Sequence, residues 1–341
     1  MKKKVLWVFM TLYLAILIVS IMYSTKLVVL EICIGLCIIF CVILGLLLNR
    51  WVKTTLWFRS VIPDLDNYPT NYWYREHLAR NYDIVNIGSS SAKNAFDYSG
   101  IDIKAFNWAD QPQSLSYGYK VLKTYFSILK NDGIVVISLG PFSGLDVDDK
   151  WAKYINDKYY YILDPNLIDD YRHVALRRTY PLLMSPFKSF KALVNKFLRR
   201  NVDKTNSNVF ISDEEKWYIG WLEEFNIEDI NAPLSEENEV GQSKRIALLS
   251  DIMDFCLRRN LRPVIVIPPM HPSLALKLSD KFRENYIYSF IRRSNKANVP
   301  FFNYMDDSRF SDDVYFKNSF LLNEVGAKYF TKIFLKELGL I

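Results

Sequence analysis

The chain opens on two uninterrupted apolar runs, residues 5–23 and 27–48, separated by Ser24-Thr25-Lys26. Each is about 20 residues long, the length that carries a helix across a ~30 Å hydrocarbon layer. The first follows Lys2-Lys3-Lys4, as a secretory leader would. Its apolar core is longer than a leader's, however, with no small-x-small cleavage site after it and a second run immediately following. The pattern therefore predicts a transmembrane hairpin over residues 1–50. From residue 60 to 341 it changes to short β-branched runs alternating with longer segments of helical period, the signature of a parallel sheet covered on both faces. Strands are expected at residues 83–88, 104–108, 133–139, 262–268 and 300–304, with helices over 113–130, 242–260 and 323–338. Five strands joined by right-handed crossovers give an α/β fold of flavodoxin-like order 2-1-3-4-5, whose ligands gather beyond the carboxyl ends of the strands. That rule selects the loops after Gly88, Leu139, Pro268 and Tyr304.

Between the third and fourth strands, residues 144–240 form an insertion too long for a plain crossover, and its charges are sorted. Residues 171–202 carry eight basic side chains and no acid, whereas residues 213–239 carry ten acids against Lys216 alone. Within the basic block, Phe187, Phe190, Leu193, Val194, Phe197 and Leu198 fall on one helical face, flanked by Lys188, Lys191, Lys196 and Arg199. A basic amphipathic helix in a chain with membrane spans fits the surface of an anionic bilayer. It fits an ordinary lid helix with a solvated basic side equally well.

Composition narrows the function classes. Half of the residues are hydrophobic and 23% charged, which excludes a disordered chain. The net charge of +6 is mild and comes without an aromatic–basic recognition motif, so nucleic acid is not an expected partner. Cys33, Cys37, Cys41 and Cys256 supply neither a disulfide framework nor a zinc site. His77, His173 and His271 are too few for a multi-histidine centre, and neither metal nor cofactor is expected. The first three cysteines recur every four residues, as small polarizable side chains at a helix–helix contact do. The expected bilayer has a charge asymmetry too. Lys2, Lys3 and Lys4 precede the hairpin, Arg50, Lys53 and Arg59 follow it, and Lys26 alone lies between, which places the soluble domain in the cytoplasm.

The first strand runs into Gly88-Ser89-Ser90-Ser91-Ala92, with Phe96-Asp97 after it. A serine on a strand-to-helix turn lies beside backbone N–H groups able to hold an oxyanion. Other blocks accompany it: residues 106–115, Gly140-Pro141-Phe142 at the end of the third strand, and the run from Phe316 through Leu322-Asn323 to Gly326-Ala327. In these, most of residues 80–341 resembles the SGNH (GDSL-like) hydrolase superfamily, especially its membrane-anchored bacterial branch containing the teichoic-acid D-alanylation protein and polysaccharide O-acyl transfer proteins. The resemblance implies an SGNH-type sheet and an esterase or O-acyltransferase with Ser90 as nucleophile. Gly88, Ser89, Gly140 and Asn318 become binding positions. It also implies a bacterial plasma-membrane protein whose domain works outside the cytoplasm, on a cell-surface glycan or lipid-linked precursor, beside other membrane proteins of polysaccharide synthesis.

The last block departs from that pattern. In register, Asn318 stands where the family has its Asp and Leu321 where it has the His that deprotonates the serine. Leu accepts no proton, and Asn does not stabilise an imidazolium as a carboxylate does. The oxyanion-hole positions around Ala109 to Pro112 and after Gly140 are also off pattern. One rerouting is available: His271, in the Pro-rich turn after the fourth strand, as base, with Asp306 or Asp307 as its orienter. Three readings stand side by side. One is a membrane-bound esterase or O-acyltransferase, another a degenerate domain that binds a glycan or helps assemble a polysaccharide machine without catalysis, and the third a flavodoxin-like domain unrelated to acyl chemistry.

Overall fold

The computed structural model describes Ile18 and residues 25–61, 81–145, 156–198 and 210–341. In chain order the elements begin with α1 (Thr25–Val52), α2 (Leu56–Val61), β1 (Tyr82–Ile87), α3 (Ser90–Ala95), β2 (Ala105–Asn107), α4 (Leu115–Tyr125) and β3 (Leu129–Ser138). The expected insertion supplies α5 (Tyr171–Thr179), α6 (Pro181–Met184), α7 (Pro186–Phe197) and α8 (Glu214–Glu224). Then come α9 (Glu236–Leu257), β4 (Arg262–Ile267) and α10 (Pro272–Ala275). After a helical stretch with a π-helical middle, Arg283–Tyr288, follow α11 (Ser289–Ser294), β5 (Phe301–Asn303) and α12 (Glu324–Glu337).

The chain divides into two compact units. One joins Met1–Pro63 with Arg172–Val202, and the other joins Asp64–Tyr171 with Asp203–Ile341. The basic middle of the insertion groups with the N-terminal segment, and its acidic part stays with the sheet.

In the larger unit five parallel strands follow the order β2-β1-β3-β4-β5, the flavodoxin-like order that the strand–helix alternation predicts. The three central strands are continuous runs of Ile and Val because both their faces are covered. Val85 lies beside Val135 and Val136 beside Val264 in register, and all four are buried. One face, with Ile84, Ile134, Val136, Val264 and Val266 at every second position, packs against Phe96, Phe330 and Phe334. The other is covered by α4 and α9. The edge strands β2 and β5 are three residues each, shorter than the pattern suggested. Just beyond them the backbone still bonds across: Lys104 O accepts from Asp83 N at 2.7 Å, Pro300 O accepts from Ile265 N at 2.9 Å, and Tyr304 N donates to Ile267 O at 3.0 Å.

The ends of the helices follow from their side chains. The Ser114 and Ser235 hydroxyls accept the Tyr117 and Asn238 N–H groups at the starts of α4 and α9. Asn323 does the same for α12, accepting from Gly326 N at 2.9 Å. A Cβ at Gly326 would stand 2.1 Å from the Tyr315 carbonyl oxygen, so this first turn of α12 lies flush against the preceding loop.

In the smaller unit, α1 carries a segment, Val28–Val52, long and apolar enough to cross a membrane. It is the second of the two predicted spans; of the first, residues 5–23, Ile18 alone is among the described residues. Cys33, Cys37 and Cys41 are exposed along one face of α1, as their spacing requires. Helices α6 and α7 pack on α1. The Asn49 side chain donates to Thr179 O at 2.9 Å and accepts from Leu182 N at 3.2 Å.

Gly326→Ala tests the packing of the C-terminal block. The backbone collision should cost about 3 kcal/mol, the upper end for overpacking. It should lower the melting temperature of the purified chain by roughly 5–10 °C, read by differential scanning fluorimetry, while Ala327→Gly changes it far less.

Candidate functional site

The site is built on the turn from β1 into α3. Gly88 has φ +155, and a Cβ there would meet Ala92 Cβ at 2.6 Å and Ser138 O at 2.8 Å. No side chain fits, so glycine alone lets the turn run this close to the end of β3. The loop after β2 is laced to the same turn. Trp108 N donates to Asn86 O at 2.9 Å, Asp110 N to Gly88 O at 3.2 Å, and Gln113 N to Ser89 Oγ at 3.2 Å. Behind it, Asn86 Nδ2 donates to Asn107 Oδ1 at 2.7 Å and Tyr98 OH to Asn86 Oδ1 at 3.1 Å, which satisfies a fully buried amide.

Beside this junction lies a charged cluster that the sequence pattern does not announce. Asp110 is held by Lys93 Nζ at 2.6 Å and by Lys158 Nζ at 3.0 Å. Burial pushes the Asp110 carboxyl up, but Lys158 and Lys93 outweigh it and hold the group below the usual carboxylate range. Lys317 Nζ donates to Asn94 Oδ1 at 2.6 Å on the same helix; burial, then Lys93, keeps its ammonium below the ordinary lysine value.

Above the serines opens a cavity of about 280 Å3. Ser89, Ser90, Ser91, Gln113, Ser114 and Gly140 line its polar side, and Phe142, Trp217, Trp221, Phe225 and Phe320 its aromatic side. Phe142 is the pivot of that wall: it stacks on Phe225 with ring centroids 5.2 Å apart and tilts against Trp221 at 5.0 Å. Phe320 packs against Trp217 and Trp221 at 4.9 Å each. The wall is delivered by α8, from the acidic part of the insertion. It is tied to the last block by a reciprocal pair, Asp213 N to Ser319 Oγ and Ser319 N to Asp213 Oδ1, both 3.1 Å. The signal for it was the i, i+4, i+8 spacing of Trp217, Trp221 and Phe225, masked by the acids around it. The titratable side chains lining the cavity are Glu224 and Arg245; burial lifts the Glu224 carboxyl above its ordinary range.

The predicted site residues divide. Gly88 shapes the turn on which Ser89 and Ser90 stand, and Ser89, Ser90 and Gly140 line one cavity. The Gly140 N–H donates to Ser143 Oγ at 2.8 Å, so it is engaged within its own turn. Asn318 does not line the cavity; its Oδ1 accepts from Phe320 N at 3.1 Å and Leu321 N at 2.8 Å, closing a turn. Leu321 is 2% exposed and sits in the core, and the neighbouring Phe320 faces the cavity instead. His271 does not line the cavity either. Its Nδ1 lies 2.8 Å from Ser273 Oγ and its Nε2 2.8 Å from Asp313 Oδ1, and its ring packs on Phe210 and Phe316. The expected carboxylate partner is corrected accordingly. Asp306 pairs with Arg283 and Asp307 with Arg309, leaving Asp313, on the next turn of that loop, to meet the imidazole. Ser90 Oγ makes no hydrogen bond among the described residues. His173 contacts Arg177 in α5, and His77 lies outside the described residues.

The sequence matches no family model, and no curated protein matches it significantly.

The Asp110 cluster makes a prediction with a sign. A carboxyl whose folded pKa lies below the unfolded ~3.9 contributes fully above that value and loses its contribution as pH falls through the folded value. Asp110→Asn leaves Lys158 and Lys93 without their carboxylate and should destabilise by about 3 kcal/mol at pH 7. In melting curves from pH 7 to pH 3, the gap between parent and variant should hold down to about pH 4 and begin to narrow only below it.

Proposed function

We propose that the protein is a membrane-tethered, SGNH-like glycan-binding protein of cell-surface polysaccharide biosynthesis or modification. In this reading the Ser90 turn is kept as a binding surface and does not act as a hydrolytic nucleophile. The observation that carries the proposal is the make-up of the cavity: a row of hydroxyls faces an aromatic wall, and Ser90 Oγ has no hydrogen-bonded base among the described residues. Sugars present just these two chemistries, an apolar C–H face for an aromatic ring and hydroxyls around the rim for short polar groups. Glu224 and Arg245 add a carboxyl and a guanidinium to the lining, whereas the Gln113 amide is engaged with Gly88 N and Trp108 O. At about 280 Å3 the cavity is small beside a drug-sized pocket, and suits one ring with its neighbours outside.

Several features weigh against serine hydrolysis. A serine hydroxyl is a weak nucleophile unless a base accepts its proton. At the family's histidine position stands the buried Leu321, and His271 is occupied by Asp313 and Ser273. The tether in this proposal is α1, whose apolar length fits a bilayer. The glycan it serves is either on the cell surface or still attached to its lipid carrier.

The full chain in lipid nanodiscs tests both halves. Free hexoses and N-acetylhexosamines should change the fluorescence of Trp217 and Trp221. Trp217→Ala and the milder Trp221→Phe should weaken binding, the former by about tenfold, the loss of one aromatic contact. Hydrolysis of p-nitrophenyl acetate should equal background in the parent and be unchanged in Ser90→Ala. Ser90-dependent turnover well above background would overturn the binding-only reading in favour of the esterase or O-acyltransferase.

A further inference from the structure

The apolar stripe of α7 points outward. At i, i+3, i+7 and i+10, Phe187, Phe190, Val194 and Phe197 form one helical face, and the three phenylalanines are 88%, 68% and 77% exposed. On α6, Leu183 is 77% exposed as well. The buried side of α7 is small and polar. Ser189 and Ala192 are its buried residues, and Ser189 Oγ donates to Pro181 O at 2.9 Å to lock α7 onto α6. This inverts an ordinary lid helix, which would bury the aromatics and expose the serine.

The position of the helix pair says what it faces. About 20 residues of α1 cross a ~30 Å hydrocarbon layer, so a span that starts at Val28 leaves it next to Asn49. Asn49 is the residue that grips Thr179 and Leu182 at the entry to α6. Trp51, half exposed one turn-fraction further on, belongs at the same depth, where indoles collect in membrane proteins. Lys188 and Lys191 are exposed on α7. Lys196, expected on the same flank, instead donates to Thr54 O at 3.3 Å and serves to hold α7 in place; Arg199 lies outside the described residues.

We propose that α6 and α7 form an interfacial foot that seats Leu183, Phe187, Phe190 and Phe197 in the bilayer at the end of α1, with Lys188 and Lys191 on anionic headgroups. The inference rests on α1 being a span, and is independent of what the cavity binds. The foot would fix the rotation and depth of α1 with respect to the lipid surface, which a single span alone does not.

Photocrosslinking of the full chain in phosphatidylglycerol–phosphatidylethanolamine vesicles tests it. Benzoylphenylalanine replaces Phe187 or Phe190, with Phe40 in the middle of α1 as the span control and Leu276, exposed in the larger unit, as the solvent control. These are exposed positions, so folding is preserved. Lipid adducts are expected at Phe187 and Phe190 as at Phe40, and not at Leu276. Lys188→Gln with Lys191→Gln should lower the phosphatidylglycerol share of the adducts, each charge contributing about fivefold near an anionic surface. Adducts at Phe187 and Phe190 to polypeptide, whether to residues 5–23 or to a second copy, would overturn the foot while leaving the span intact. Absence of lipid at Phe40 as well would overturn the span and the foot together.

Discussion

The candidate site depends on the one place where β1 turns into α3 without a side chain. Gly88 lies against the Ser138 carbonyl at the end of β3 and against Ala92 in α3. This contact lets the three serines stand on the rim of the sheet and not behind it. It also makes the turn a meeting point of backbone: Asp110 N reaches Gly88 O, and Gln113 N reaches Ser89 Oγ. A methyl group at this one position would push apart β1, β3 and the loop after β2 together, because close-packed interiors transmit displacement instead of absorbing it.

Around that turn the molecule has spent its polar groups on structure. Asn86 is satisfied by Asn107 and Tyr98 beneath the site, and Asp110 bridges two lysines at its side. His271 is committed to Asp313 and Ser273. The cavity itself is lined by hydroxyls, aromatic rings, Glu224 and Arg245. Under the function proposed here, such a lining recognises shape and hydrogen-bonding pattern. Binding is the function for which these groups are placed, in the reading proposed above.

The smaller unit obeys a different solvent logic. In water, α7 as folded would expose three phenylalanines while burying a serine, which runs against the ordinary preference. At the level of a bilayer interface the same arrangement is favourable, since the aromatic stripe finds an apolar phase and the small residues allow close approach to the neighbouring helix. Burial of Lys53, reinforced by the nearby Arg178, lowers its ammonium below the usual lysine range. Basic residues from both sequence segments are therefore crowded at this end of α1.

Hydrophobic period and β-branched runs determined the sheet from the sequence alone. Apolar runs such as Val135–Val136 and Val264–Val266 suit strands covered on both faces, and right-handed crossovers reduce the available orders to a few, of which 2-1-3-4-5 is the one observed. The Gly-Ser-Ser-Ser turn was legible for the same reason, because it follows a strand and begins a helix. Periodicity also showed that residues 186–198 carry an apolar stripe, but not which way it faces, since a period is unchanged by rotating the helix. Only the packing of the smaller unit turned it outward, with Ser189 and Ala192 buried, Ser189 bonded to Pro181, and Asn49 holding the entry to α6. Partner choice was equally invisible. Asp306, Asp307, Asp312 and Asp313 all follow the fifth strand, and which of them meets His271 depends on the short turns between them. The aromatic wall came from residues 217–225, more than 120 positions after Ser90, and so remote a pairing is decided by three-dimensional packing alone.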